Sequence, residues 1–238
     1  MAKKLSDIQQ EIDTSGLKFH KYLHDLLDEN IMEKLESLTK LTEVYLFSGI
    51  IRNYFLKIYL KRDIDVVLGK EIDVEETFEN LPVKRNSFGG YKILYPSGPL
   101  DLWFLKDTWA FQQGQKLLEF DLERRIPKTA FFNFSSIIFI INEKKFIYTM
   151  DFVKFLKSKT LDYVYIPNAN YSLCILNTFY YSDKFNLKIS QRLKILVLEL
   201  SEGNDIEYHN AQLKHFGQIL YGIEEIRKRL SIFRTELK

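Results

Sequence analysis

Only one cysteine, Cys174, occurs in the 238 residues of the chain. A single cysteine excludes an internal disulfide and a cysteine-rich metal site, so we expect a core thiol in a reducing compartment. The charges nearly cancel, because 34 Lys and Arg are balanced by 32 Asp and Glu, leaving a net charge of +2. The net charge therefore gives no indication that a nucleic acid or a membrane is a partner. Any basic surface must be local.

Long apolar runs and a signal-peptide pattern are also missing. The longest apolar run, 135–141, has the length of a strand, whereas a membrane span needs about 18 to 20 residues. Lys3 and Lys4 are followed by polar, acidic sequence, which is not typical of a signal peptide. We therefore expect no membrane span and a cytoplasmic location. The hydrophobic share of 46% and charged share of 28% are ordinary for one large or two small globular domains.

The stretch 44–68 has the pattern that is most informative about chemistry. Its first four residues, Val44 to Phe47, form an apolar run that is long enough for a buried strand. Ser48-Gly49 predicts a tight turn, and residues 50–59 have helical spacing with Arg52 on the first helical turn. The pattern therefore predicts a strand, a turn and a helix in that order.

Acidic residues follow on two further predicted strands. Asp63 and Asp65 lie on one side of a strand over 62–68, because side chains alternate along a strand. Two carboxylates on one face repel each other unless a cation lies between them, and Mg²⁺ prefers such oxygen ligands. Asp101 interrupts an apolar strand over 100–105. A buried carboxylate without a partner is costly, so we expect Asp101 beside the other two acids.

This ordered set resembles the signature of the DNA polymerase β-like nucleotidyltransferases, in particular the head domain of poly(A) polymerases and CCA-adding enzymes. The resemblance implies an α/β (α+β) fold, with a small mixed sheet flanked by helices and followed by a helical neck. It also implies that Asp63, Asp65 and Asp101 are catalytic and hold Mg²⁺ or Mn²⁺. Ser48 and Gly49 would lie beside the triphosphate, and Asn53 stands where the family usually has Asp. Arg52 would contact phosphate or pair structurally with an acid, with the structural role slightly favoured.

A second part of the resemblance covers 126–139. Asn133 matches a Thr in the motif Arg-Arg-Asp-Phe-Thr-Ile-Asn-Ala-Leu-Ala-Tyr of the CCA-adding type, and Phe132 matches its Phe. The two arginines and the aspartate of that motif are absent. Lys128 either supplies a positive charge to the phosphates in their place or is an ordinary surface lysine, and the sequence leaves both open.

We predict three regions along the chain. Residues 1–43 form two N-terminal helices interrupted near Thr14-Ser15-Gly16, and residues 44–157 form the catalytic head. Residues 158–238 form the helical neck and one long C-terminal helix, about 205–237. Apolar residues recur along that helix at alternating intervals of three and four, which is a heptad seam. The seam packs against the neck or forms a homodimer.

The resemblance implies attack of a hydroxyl on the α-phosphate of an NTP or dNTP, with release of pyrophosphate. The sequence does not identify the acceptor: a nucleic acid and a protein hydroxyl are both open, and Tyr208 and Tyr221 are hypothetical protein primers. The general plan looks similar to the nucleotidyltransferase of the Hailong anti-phage system, which implies short oligonucleotide products. The alternatives are a single-nucleotide transferase of the antitoxin type, a tRNA 3′-end nucleotidyltransferase and a non-catalytic binding module.

One further pair could bind metal. His20 and His24 lie four residues apart and so share one face of a predicted helix. The sequence shows no third ligand near them, which favours a solvated surface pair.

Overall fold

The computed structural model describes residues 4–47, 49–58, 64–86, 89–108, 126–167, 170–202 and 205–237. The chain divides into two compact units. The first, which we call the sheet unit, comprises Met1–Ala130 and Phe134–Lys157. The second, which we call the helical unit, comprises Phe131–Asn133 and Ser158–Lys238.

A mixed seven-stranded sheet is the centre of the sheet unit, with strand order β3-β4-β5-β2-β1-β6-β7. The β2–β5 pair is parallel, and the other neighbouring pairs are antiparallel. The strands are β1 Val44–Phe47, β2 Ile64–Leu68, β3 Val83–Arg85, β4 Tyr91–Tyr95, β5 Gly98–Phe104, β6 Ile137–Ile140 and β7 Lys145–Tyr148.

The central strands are apolar because both of their faces are covered. All four residues of β6 are buried, and so are the first three residues of β1. Tyr45 in β1 lies opposite Val67 in β2 and Ile140 in β6, and these three side chains belong to one buried cluster. A continuous apolar run is the sequence pattern expected of a strand in that position.

Helices of the sheet unit precede, interrupt and follow its strands. They are α1 Leu5–Thr14, α2 Gly16–Leu26, α3 Glu29–Leu38, α4 Gly49–Leu56, α5 Val74–Thr77 and α6 Met150–Ser158.

The N-terminal region contains three helices, so the prediction of two is wrong. The predicted interruption is present at Ser15, between α1 and α2. A second interruption follows at Leu27 and Asp28, whose backbones are extended. The Asp28 side chain accepts a hydrogen bond from the Asn30 backbone N–H, which makes it the N-cap of α3. An unbroken apolar period does not reveal such a cap.

Helix α2 packs on the sheet through an aromatic cluster. Phe19 is fully buried, and its ring centroid lies 4.8 Å from that of Phe139 and 5.1 Å from that of Phe146. A third ring, Tyr54 of α4, lies 5.0 Å away in an edge-on arrangement. Edge-on and tilted pairs are favourable geometries for aromatic rings, so this cluster fixes α2 against the sheet.

The helical unit contains four helices and a two-stranded parallel sheet among its described residues. They are β8 Thr160–Leu161, α7 Tyr171–Phe185, β9 Lys188–Ile189, α8 Gln191–Leu200, α9 Asp205–Phe216 and α10 Ile223–Glu236. Asn170 caps α7 and Ser190 caps α8, each by accepting a backbone N–H bond three residues ahead.

The prediction of one long C-terminal helix is wrong, because α9 and α10 are separate helices. Gly217 follows α9 with a φ of 71°, a left-handed conformation that ends a helix and that glycine adopts without a steric cost. The Gln212 side chain accepts from the backbone N–H groups of Leu220 and Tyr221 and so holds the connection.

The apolar spacing that suggested a continuous seam survives only in part. Ile226, Leu230 and Phe233 of α10 are buried within the helical unit, whereas Ile219 is 40% exposed in the connection. Among the described residues, no helix is long and apolar enough to cross a membrane.

Cys174 is buried in α7, which agrees with the expected core thiol. Burial raises the pKa of the Cys174 thiol to about 12. Since the thiolate is the reactive form, we expect native protein at pH 8 to react with Ellman's reagent about a thousandfold more slowly than an unperturbed thiol. The rate should rise with pH toward the raised pKa and become ordinary in urea. A fast reaction without denaturant would contradict this prediction.

Candidate active site

Two acidic residues lie side by side on the parallel strands at the centre of the sheet. Asp65 on β2 pairs directly with Asp101 on β5. Paired residues of neighbouring parallel strands point to the same face, and the strands are about 4.8 Å apart. Asp65 is half-buried and Asp101 is 8% exposed. The structure therefore brings together two of the three predicted acids.

A lysine that the sequence analysis did not select neutralises part of this pair. Lys92 on β4 lies opposite Asp101, and its Nζ is 3.3 Å from Asp101 Oδ2. Its position follows from the hairpin, in which Tyr95 pairs with Gly98 and each earlier residue of β4 pairs with one later residue of β5. The Pro96-Ser97 pair is a turn signal in the sequence, and counting back from it along both strands could have located Lys92.

The surroundings of the second carboxylate oxygen of Asp101 indicate whether a metal ion would fit this position. Asp101 Oδ1 is buried and has no hydrogen-bond partner among the residues that the structure describes. A buried carboxylate oxygen without a partner is costly, whereas a hard divalent cation prefers carboxylate oxygen as ligand. The adjacent Asp65 adds a second carboxylate on the same face. These donors therefore fit Mg²⁺ or Mn²⁺.

The other predicted residues near the turn are only partly covered. Asp63 and Ser48 lie outside the described residues. Gly49 is buried and begins α4, directly after β1. The first backbone N–H groups of a helix have no partner within the helix, so this end of α4 favours negative charge.

Arg52 is placed inside the sheet unit. It is 1% exposed, and its Nη2 donates to Asn53 Oδ1 at 3.1 Å. The guanidinium carbon lies 4.8 Å from the centre of the Phe134 ring, which is a cation–π arrangement. Because residue 53 is an asparagine, a neutral amide oxygen receives the bond. This environment favours the structural role of Arg52 over phosphate contact.

The remaining two residues have different surroundings. Lys128 is exposed in a short 3-10 helix, Ile126–Thr129. Asn133 belongs to the helical unit, where its amide donates to the Thr160 carbonyl at 2.9 Å and accepts from the Asp162 backbone N–H at 3.1 Å. These bonds hold the segment around Asn133 against β8. The Asn133 side chain therefore stabilises the local structure.

Comparison with solved structures identifies the fold. A CCA-adding enzyme in complex with CTP matches with a TM-score of 0.63 and 17% identity, over 94% of this chain and 55% of its own. The Thermotoga maritima CCA-adding enzyme complexed with tRNA matches with a TM-score of 0.60 and 16% identity, over 93% of this chain and 54% of its own. A tRNA nucleotidyltransferase complexed with a primer tRNA and an incoming ATP analogue matches with a TM-score of 0.59 and 14% identity, over 85% and 60%.

These similarities confirm the predicted fold class, a nucleotidyltransferase head followed by a helical region. More particularly, the chain is similar in fold to CCA-adding enzymes and tRNA nucleotidyltransferases, and it spans just over half the length of each. No protein-family model matches the sequence, and a search of curated proteins found no match.

Proposed function

We propose that the protein is a metal-dependent, template-independent nucleotidyltransferase that transfers a nucleotide from an NTP or dNTP to a hydroxyl acceptor. The observation that carries the proposal is the Asp65–Asp101 pair on adjacent parallel strands, with one buried oxygen of Asp101 lacking a partner among the described residues. The CCA-adding fold around the pair supports the same reaction class. A non-catalytic module has no evident use for two adjacent acids at this position.

Asp65 and Asp101, together with Asp63, would hold Mg²⁺ or Mn²⁺. When bound, such ions lower the pKa of the attacking hydroxyl and neutralise charge on the triphosphate. The acceptor oxygen forms a bond to the α-phosphorus, and the bond between that phosphorus and pyrophosphate breaks. Asp101 would also receive the hydroxyl proton, directly or through water. Its contact with Lys92 limits the negative charge that accumulates there.

The start of α4 is the proposed position of the triphosphate. The first turn of α4, which begins at Gly49, presents backbone N–H groups, and Ser48 would add a hydroxyl. Lys128 is exposed and is proposed to supply one positive charge to the phosphates. Arg52 and Asn133 would act indirectly, by holding α4 and the segment before β6 in place.

For the acceptor, we propose a nucleic-acid or nucleotide hydroxyl and short oligonucleotide products. The resemblance to the Hailong nucleotidyltransferase supports a role in anti-phage defence, and a buried, unpaired Cys174 suits a reducing cytoplasm.

Tyr208 and Tyr221 are poor protein primers, because they are only 2% and 7% exposed. The Tyr221 hydroxyl also donates to Asp183 Oδ2 at 2.9 Å, so neither tyrosine presents an accessible hydroxyl in this fold.

The test is incubation of purified protein with each labelled NTP and dNTP, with Mg²⁺ or Mn²⁺, resolved on a denaturing gel. Parallel reactions contain no primer, tRNA or short oligonucleotides, and a chain with both Asp63→Ala and Asp65→Ala is the control. We expect a ladder that requires metal and is lost in the control. A single product band would indicate the one-nucleotide transferase. Product that forms only in the reaction containing tRNA would indicate tRNA 3′-end synthesis.

Absence of product with all acceptors would be followed by a binding measurement. If nucleotide binds the wild-type chain in the presence of Mn²⁺ and does not bind the double variant, the reactions lacked the correct acceptor. Nucleotide that does not bind the wild-type chain under any condition would contradict the proposed function.

A further inference from the structure

Helices α2 and α3 of the sheet unit bring together two histidines and a glutamate. His20 Nε2 lies 3.4 Å from Glu36 Oε1, and His24 Nε2 lies 3.0 Å from the same oxygen. One ligand atom from each residue lies within 4.8 Å of the other two. Glu36 is the third ligand that the sequence did not reveal, since it follows His24 by 12 positions and lies on the next helix.

The separations suit a transition-metal ion. Zn²⁺ binds imidazole nitrogen and carboxylate oxygen at about 2.0 to 2.2 Å in a tetrahedral arrangement, which places neighbouring ligand atoms about 3.3 to 3.5 Å apart. The His20–Glu36 distance of 3.4 Å is already in that range, whereas the His24–Glu36 pair is a hydrogen bond of 3.0 Å that would lengthen slightly on metal binding. Water would complete the coordination on the exposed side, because His24 and Glu36 are 45% and 44% exposed.

The protein holds these ligands on packed helices. His20 follows the fully buried Phe19 in α2, and Glu36 follows the fully buried Leu35 in α3. The side chain of His20 is itself 12% exposed, so its ring has little freedom to turn away.

We propose that His20, His24 and Glu36 form a binding site for a transition-metal dication of the Zn²⁺ type, which links α2 to α3. The two imidazoles distinguish this site from the Asp65–Asp101 pair, because nitrogen ligands favour Zn²⁺, Co²⁺ and Ni²⁺ over Mg²⁺. A bound ion replaces the His24–Glu36 contact with two metal–ligand bonds from α2 and one from α3. The helices are thereby held together, and the folded state is stabilised by an amount that grows with the logarithm of the free Zn²⁺ concentration above the Kd.

The experiment uses the full chain without a histidine tag, stripped of metal with EDTA and exchanged into chelator-free buffer. Zn²⁺ binding is measured by competition with a chromophoric chelator, and Co²⁺ is added separately to record its visible absorption. His24→Ala and Glu36→Gln change exposed ligands, and the matched control is His209→Ala, which removes an exposed histidine of α9. Asp101→Asn tests whether the ion binds at the acidic pair instead.

We expect one tightly bound Zn²⁺ per chain and a Zn²⁺-dependent rise in the melting temperature. His24→Ala and Glu36→Gln should weaken binding at least tenfold and remove both the melting-temperature rise and the Co²⁺ absorption. His209→Ala and Asp101→Asn should leave all three unchanged. Equal loss in His209→Ala, loss in Asp101→Asn alone, or no loss in His24→Ala would overturn the proposal. A folded wild-type chain that binds no Zn²⁺ when the ion is added back would overturn it as well, whatever the outcome of the nucleotide experiments.

Discussion

Replacing Asp101 by asparagine is expected to reduce nucleotide incorporation at least about 100-fold while leaving the protein folded. Removal of one preorganised charged or polar group from a catalytic site costs about 10²- to 10³-fold in rate. Asn keeps the shape of Asp101 but removes the negative charge next to Asp65 and the proton acceptor. Incorporation of labelled nucleotide at saturating Mg²⁺ or Mn²⁺ measures the effect.

The control for this prediction is Asp25→Asn, which neutralises an exposed acid on α2 of the same unit. It should retain wild-type incorporation. The stability of Asp101→Asn should be close to wild type, because an unpartnered buried oxygen no longer carries charge and the lost Lys92 contact is partly solvated. Activity within a few-fold of wild type in a folded Asp101→Asn chain would exclude the acidic pair as the catalytic centre.

Replacing Phe19 by alanine is expected to lower the free energy of unfolding of the sheet unit by about 3 to 5 kcal/mol, the usual cost of deleting a large buried ring. Phe19 is fully buried and its ring contacts Phe139, Phe146 and Tyr54. Its loss leaves a cavity between α2 and the sheet that these rigid neighbours cannot close. Urea denaturation followed by circular dichroism measures the change.

Leu17→Ala provides the matched control, since Leu17 lies on the same helix and is 71% exposed. Its effect should remain within about 0.5 kcal/mol. If the two units unfold in separate steps, the Phe19→Ala shift should occur in the transition of the sheet unit. Equal effects of the two substitutions would show that α2 does not pack on the sheet through Phe19.

Local sequence pattern determined much of the fold, because it reports burial directly. The apolar run of β1, the strand around Asp65 and the apolar strand interrupted by Asp101 follow from alternation and hydrophobicity. The fold class, which the resemblance to the nucleotidyltransferase signature implied, is confirmed by the similarity to CCA-adding enzymes. The roles assigned to the acids stay predictions, and Asp63 and Ser48 lie outside the described residues.

The errors occurred where apolar period and backbone conformation disagree. A spacing of three and four continues through the C-terminal region, yet α9 ends where Gly217 adopts a left-handed conformation. Likewise, the period of the N-terminal region continues across Asp28, although Asp28 caps a new helix. Hydrophobic period records which face is buried and carries no information about a change in chain direction.

By itself, the sequence determined which residue types are available for chemistry and which strands carry them. Only the tertiary structure decided which side chains meet. It placed Lys92 against Asp101, Arg52 on the Phe134 ring and Glu36 beside the two histidines. The reason is physical, because strand register and helix packing depend on the summed burial of many side chains. Contacts between separate elements therefore cannot be predicted from the spacing of residues within one segment.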